Sequence, residues 1–177
     1  MYKPFLYSQN DPTWKHDRLG LSRTSTVGRY GCLLVSFAMI AQASVTWMNQ
    51  CRAATGGFAP GSAMAANFDI VRCAPGVKLI EVRPANSLWT KPVPLPDMQD
   101  LYDHLASGMP AILEVDWRGD AAGTGHRDNQ HFVVATYSVE ELMHINDPWD
   151  GVVKTLTPRY GSTNAKAIWR YLLYAIV

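Results

Sequence analysis

One stretch constrains this chain more than any other: Gly31-Cys32-Leu33-Leu34-Val35-Ser36-Phe37-Ala38-Met39-Ile40 is helix-compatible and apolar on nearly every side. A helix of that kind has no broad face to give to water, so it has to be covered from most directions. It predicts a central helix with the remaining chain packed around it. Cys32 stands at its start, directly after a glycine. Unpaired N–H groups and the positive end of the macrodipole favour an anion there, which makes a thiolate easier to form. On these grounds Cys32 is a candidate nucleophile; the alternative is a small buried hydrophobe at the head of a core helix.

The 177 residues fit one domain, residues 1–177, large enough to bury a real core. A formal charge of +1, with Lys and Arg spread evenly, offers no basic stripe of the kind a nucleic-acid surface needs. Three cysteines, Cys32, Cys51 and Cys73, form no paired CxxC spacing. They point neither to a disulfide framework nor to a structural zinc site, and an odd count leaves at least one thiol free. The first residues contain no apolar run long enough for a signal peptide, and no segment approaches a membrane span. The expectation is a soluble chain, cytoplasmic at synthesis, without membrane insertion.

Before the central helix, Phe5-Leu6-Tyr7-Ser8 reads as extended and stops at Gln9-Asn10-Asp11-Pro12, a turn signal. The polar stretch over residues 15–28 reads as a loop that delivers Tyr30-Gly31 to the helix start. Gln9 can then fold back toward Cys32, where a side-chain amide would make a good oxyanion donor. After the central helix, Ser44 or Thr46 caps a second helix through Trp47, Met48, Cys51 and Ala54, ended by Gly56-Gly57. Ser62 caps a third through Met64, Phe68, Ile70 and Val71. Cys51 and Cys73 sit among apolar neighbours there and read as structural.

From Val77 the pattern alternates as a strand to Arg83. The prolines of residues 91–96 make an exposed connection. Asp97 then caps a helix with Met98, Leu101, Tyr102 and Leu105 on one face and His104 on its solvated side. Residues 111–117 read as a buried strand, and residues 118–130 as a glycine-bearing loop. Two further segments form a hairpin, His131-Phe132-Val133-Val134-Ala135-Thr136-Tyr137 and Leu142-Met143-His144-Ile145-Asn146-Asp147. Indices paired across a hairpin have a constant sum; for residues 131 and 147 that sum centres the turn on residue 139. His131 and Asp147 are therefore expected to be cross-strand neighbours, with the carboxylate holding the imidazole in one tautomer and stabilising its protonated form. A third strand through residues 151–157 and an aromatic closing strand from Ala167 complete an α+β class, helices first and an antiparallel sheet after them.

These landmarks come in a telling order. Gln9-x-Asp11-Pro12-x-Trp14, Gly20, Thr26, Tyr30-Gly31-Cys32 with Ser36-x-Ala38-Met39, Gly108-x-Pro110-Ala111-Ile112, His131-Phe132-Val133-Val134 and Asn146-Asp147-Pro148-x-x-Gly151 resemble the C39-like cysteine peptidases. The resemblance spans Gln9 to Gly151. It implies a papain-like fold, with Cys32 as nucleophile, His131 as general base and then acid, Asp147 as the orienting group, and Gln9 with the Cys32 N–H as oxyanion hole. It also implies a peptide or amide substrate, such as a leader peptide or a peptidoglycan peptide, and partners in a phage virion or secretion assembly. One departure is that Ala135 and Thr136 stand where that family commonly has a glycine after the His strand. Residues 43–79 match nothing in it, and substrate choice is expected to lie there and in the loop before His131.

Two other classes fit less well. A non-catalytic papain-like structural or binding component would be marked by a missing triad residue, and none is missing. A metal protein using His126, His131, Asp147 and a cysteine lacks a compact ligand pair, so neither metal nor cofactor is expected. His16, His126 and His144 read as surface or loop residues. Trp14, Trp117 and Trp149 are expected beside the site, where some can line a substrate groove.

Overall fold

The computed structural model describes residues 2–84, 98–118, 130–139 and 142–177. In chain order the elements are α1 (Val27–Tyr30), α2 (Cys32–Ala41), α3 (Val45–Ala54), β1 (Val77–Arg83), α4 (Gln99–Ala106), β2 (Ala111–Asp116), β3 (Gln130–Val139), β4 (Leu142–Asp147), β5 (Val152–Thr155), α5 (Asn164–Ala167) and β6 (Ile168–Ile176). The class is α+β. Six strands form one antiparallel sheet in the order β1-β6-β2-β3-β4-β5.

The sheet is covered on both faces, and strand periodicity explains how. Ile112, Phe132, Val134, Leu172 and Tyr174 join the core around α2 and α3, while Leu113, Val133, Ala135, Tyr171 and Leu173 join a second core around Leu101 and Leu105 of α4. Alternate residues of one strand thus serve opposite cores, which is why β2 is buried along its whole length. The central helix is as closed in as its composition requires: Val35, Phe37, Ala38, Met39 and Ile40 are all buried. Ser44 caps α3, its side chain accepting from the Trp47 N–H. No single helix among the described residues is long and apolar enough to cross a membrane.

Two expectations fail in the segment after α3. Cys51 and Cys73 are joined in a disulfide across 22 residues, leaving Cys32 as the free thiol. The third helix expected through Met64 and Val71 is absent; the chain makes turns and an isolated bridge between Phe58 and Ala65. The reason is Arg52. Its side chain is 1 % exposed, lies over the Phe37 ring at 4.5 Å, and donates to the carbonyls of Gly57, Asn67 and Asp69. Carbonyls claimed by a guanidinium are not free for a helical ladder, so the segment folds around the arginine instead.

Smaller differences are local. His104 is half-buried and bonds the Pro110 carbonyl at 3.1 Å rather than standing in solvent. A single turn, α1, precedes the central helix, and α5 occupies what reads as a break. The proline-rich connection at residues 91–96, the Asp97 cap, residues 119–129 with His126, and the hairpin residues 140–141 lie outside the described residues.

Candidate active site

Backbone sterics fix where Cys32 stands. Gly31 separates α1 from α2 with its N–H on the Val27 carbonyl at 2.7 Å. A Cβ built on Gly31 would meet that carbonyl oxygen at 2.4 Å, so only glycine lets the two helices abut with Cys32 at the first position of α2. One turn on, Ser36 Oγ donates to the Cys32 carbonyl at 2.8 Å and lies 3.5 Å from the Phe132 carbonyl. This fully buried hydroxyl joins the helix that Cys32 begins to the strand residue next to His131.

His131 and Asp147 meet, although not in the expected register. The ladder pairs Val134 with Asn146 and Ala135 with Ile145, then shifts between Ala135 and Tyr137. Continued toward the strand ends, it sets Asp147 opposite Val133, so His131 reaches the carboxylate diagonally. His131 Nε2 lies 2.9 Å from Asp147 Oδ1, which leaves Nδ1 for the Cys32 side of the cleft that both residues line. The imidazole is 3 % exposed and the carboxylate 0 %.

The carboxylate is heavily supported. Oδ1 also accepts from the Trp149 N–H at 3.0 Å. Oδ2 accepts from Tyr160 Oη at 2.7 Å and Lys154 Nζ at 2.9 Å. Lys154 in turn bonds Asp150 at 2.6 Å. Burial opposes the charge on Asp147, but the hydrogen bonds and charge from His131, with those from Tyr160 and Trp149, hold its carboxyl well below the usual carboxylate range. Burial likewise works against the imidazolium, yet hydrogen bonds and charge from Asp147 and Cys32 raise His131 to about 9.

Those directions give a stability profile. His131 is raised from 6.5 to about 9, so its contribution is complete below about pH 6.5 and lost as pH rises through 9. Asp147 is lowered from 3.8, so its contribution is complete above that value and lost on further acidification. Urea unfolding should therefore show a plateau between about pH 4 and 6.5, with a fall on the order of 2–3 kcal/mol by pH 9.5. The alkaline fall should vanish in His131→Gln; one that persists there comes from another group.

Gln9 arrives from the other side. Its backbone N–H donates to the Pro148 carbonyl at 2.6 Å, tying it to the turn that follows Asp147. Its Nε2 donates one hydrogen to the Gly28 carbonyl at 2.9 Å, which fixes the amide plane and leaves the second hydrogen unassigned. Gln9, Cys32 and His131 line one cleft of about 730 Å³, together with Tyr30, Trp117 and Trp149. Trp117 packs edge-on against His131 at 4.8 Å and against Trp149 at 4.9 Å, shielding the imidazole on one side. Trp14 does not join the cleft lining; its indole donates to the Ser8 carbonyl and its ring meets Tyr7.

All four residues named from the sequence are thus brought together. The supports of Asp147 were missed. Lys154 was within reach of sequence reasoning: a tight turn over residues 148–151 pairs Asp147 with Val152, which puts residue 154 on the same face. Tyr160 follows a further turn and gave no such signal. Among the described residues, no group of three or more His, Cys, Asp or Glu side chains could hold a metal ion. No protein-family model and no curated protein matches the chain.

Chemically, the arrangement supplies a thiol and a base in one cleft, a carboxylate that keeps that base oriented, and a side-chain amide lining the same cleft. Those are the parts nucleophilic attack on a carbonyl requires.

Proposed function

We propose that the chain is a cysteine peptidase or amidase with a papain-like fold, similar to the C39-like family. One observation carries the reading: free Cys32 at the start of α2 shares one cleft with His131, whose Nε2 is held by buried Asp147. With its proton already on His131, the Cys32 thiolate attacks the carbonyl carbon. The oxyanion is met by the Cys32 N–H and the second Nε2 hydrogen of Gln9. As the tetrahedral intermediate collapses, the C–N bond breaks and His131 gives its proton to the leaving amine. Water, deprotonated by the same imidazole, then attacks the thioester, releases the acid and restores the thiol.

The substrate in this proposal is a peptide, and a peptidoglycan peptide suits it better than a cytosolic leader peptide. The Cys51–Cys73 disulfide supports that preference, because such bonds persist in oxidising surroundings and at virion or cell surfaces. A role within a phage or secretion assembly is compatible with it.

The test is the pH dependence of iodoacetamide alkylation at Cys32, mapped by peptide mass in the wild type and in His131→Ala. The proposal expects rapid labelling that persists well below pH 8 and is lost in the variant. Slow labelling, indifferent to the mutation, would mean an ordinary thiol and would end the reading.

A further inference from the structure

The wall that α1 and the loop before it give to the cleft is made of groups that donate hydrogen bonds. Among the described residues that line the cleft, Arg29 is the one Lys, Arg, Asp or Glu. It is exposed and its guanidinium lies over the Tyr30 ring, 5.1 Å from the centroid. No Asp or Glu among the described residues pairs with it. A guanidinium carries five N–H donors and no acceptor. Ser22, in the same lining, is donor-only as well. Its Oγ accepts from the Thr24 and Ser25 N–H groups at 3.3 and 3.0 Å, which uses both lone pairs and leaves its proton to give. Ser62 brings a further hydroxyl proton to the lining, its Oγ accepting from the Met64 N–H at 3.0 Å.

These donors stand on a tied framework beside the reacting sulfur. The Leu21 N–H donates to the Ser62 carbonyl at 3.0 Å, joining the Ser22 loop to the segment after α3. The Gly28 carbonyl, next to Arg29, takes the Gln9 side-chain bond. Gly31 keeps turning near the helical sense, with φ −85° and ψ 8°, so Arg29 stands about one turn before Cys32. A side chain of that length, based there, reaches groups about two or three residues along an extended peptide from the carbonyl under attack.

A carboxylate offers acceptors alone, and its two oxygens match the guanidinium fork. The isosteric carboxamide would turn an N–H toward donors. We infer that this wall is a carboxylate subsite, so that the preferred substrate is a peptide with an acidic residue within about three residues of the scissile bond. The inference rests on the peptidase reading and names the substrate class.

The experiment measures inactivation of the intact chain by two pairs of probes, each pair differing only in that charge. It is followed by whole-protein mass and normalised to each protein's iodoacetamide rate. N-acetyl-glutamyl-glycine and N-acetyl-glutaminyl-glycine chloromethyl ketones place the residue on the acyl side of the reacting carbon. Iodoacetyl-glycyl-glutamate amide and its glutamine counterpart place it on the leaving-group side. In one of the pairs the glutamate probe should react about fivefold faster, as a well-aligned exposed ion pair gives. Arg29→Gln, a change at an exposed position, should bring that ratio to within about twofold of unity. Equal rates within both pairs, or a preference unchanged in Arg29→Gln, overturn the inference while the peptidase reading stands on its iodoacetamide result. Failure of His131-dependent iodoacetamide labelling removes the peptidase reading and this inference with it.

Discussion

Cys32→Ala should lower hydrolysis of a cleavable peptide by at least about 10³-fold, and combining it with His131→Ala should remove little more. The two side chains act as a unit: the thiol is a weak nucleophile until the imidazole takes its proton, and the imidazole has nothing to activate once the sulfur is gone. Their effects are therefore far from additive. Folding should survive, since Cys32 is only partly buried and its removal leaves the Gly31 junction and the Ser36 bond to the Cys32 carbonyl in place. Turnover is read by product mass, with the far-ultraviolet dichroism spectrum as the check on folding. A Cys32→Ala protein retaining a tenth of wild-type turnover would exclude this cysteine as the nucleophile.

The largest effect on stability is expected at Arg52. Its replacement by methionine keeps much of the volume between Phe37 and Phe58 but orphans the carbonyls of Asn67 and Asp69 and leaves that of Gly57 to the Ala66 N–H alone. Each buried group left without a partner costs about 1–3 kcal/mol. The sum for the two, about 2–6 kcal/mol, is a large share of the stability of an ordinary domain, about 5–15 kcal/mol. Arg52→Met should thus shift the urea midpoint far down or leave the segment after α3 unfolded, and Arg52→Lys should rescue it only in part because one ammonium cannot span three carbonyls. Burial lowers the guanidinium to about 10, the Tyr174 and Asp69 charges opposing the shift. It therefore remains a cation at neutral pH, and the carbonyl dipoles solvate it. A change below about 1 kcal/mol in Arg52→Met would mean that water replaces the guanidinium without loss.

The contrast between these two residues explains what the sequence could reveal. Cys32 was legible because a glycine, a thiol and an apolar helix sit together along the chain, and His131 with Asp147 because a hairpin converts sequence distance into proximity. The register was off by two residues at the mouth of that hairpin. Val139 pairs with Leu142, which centres the turn beyond residue 139, and the bulge between Ala135 and Tyr137, which leaves no mark on apolar alternation, changes the register by one residue. Gln9 is held by its backbone N–H on the Pro148 carbonyl and its side chain on the Gly28 carbonyl, the first of which ties it to the turn after Asp147. Arg52 gave no such sign. Its role lies in three carbonyls 5 to 17 residues away, and carbonyls are present at every position. The same holds for Cys51 and Cys73, which flank a segment that reads as a helix in the sequence and folds as turns and a bridge. Their pairing follows from the arginine folding that segment back on α3, and cysteine count alone gave no reason to join them.

The strand order carries a consequence for how this molecule is made. β6 is the last of the six strands in sequence, yet it lies between β1 and β2 and is hydrogen-bonded to both. On the ribosome, all four candidate site residues emerge before it. Until it arrives, β1 has no neighbour and β2, which carries β3 and His131 beside it, has an open edge. The sulfur, imidazole and amide can then be held only loosely, at distances too variable for a reaction that demands placement within about an ångström. Synthesis order thus delays assembly of the candidate site until the strand that completes its sheet has been translated.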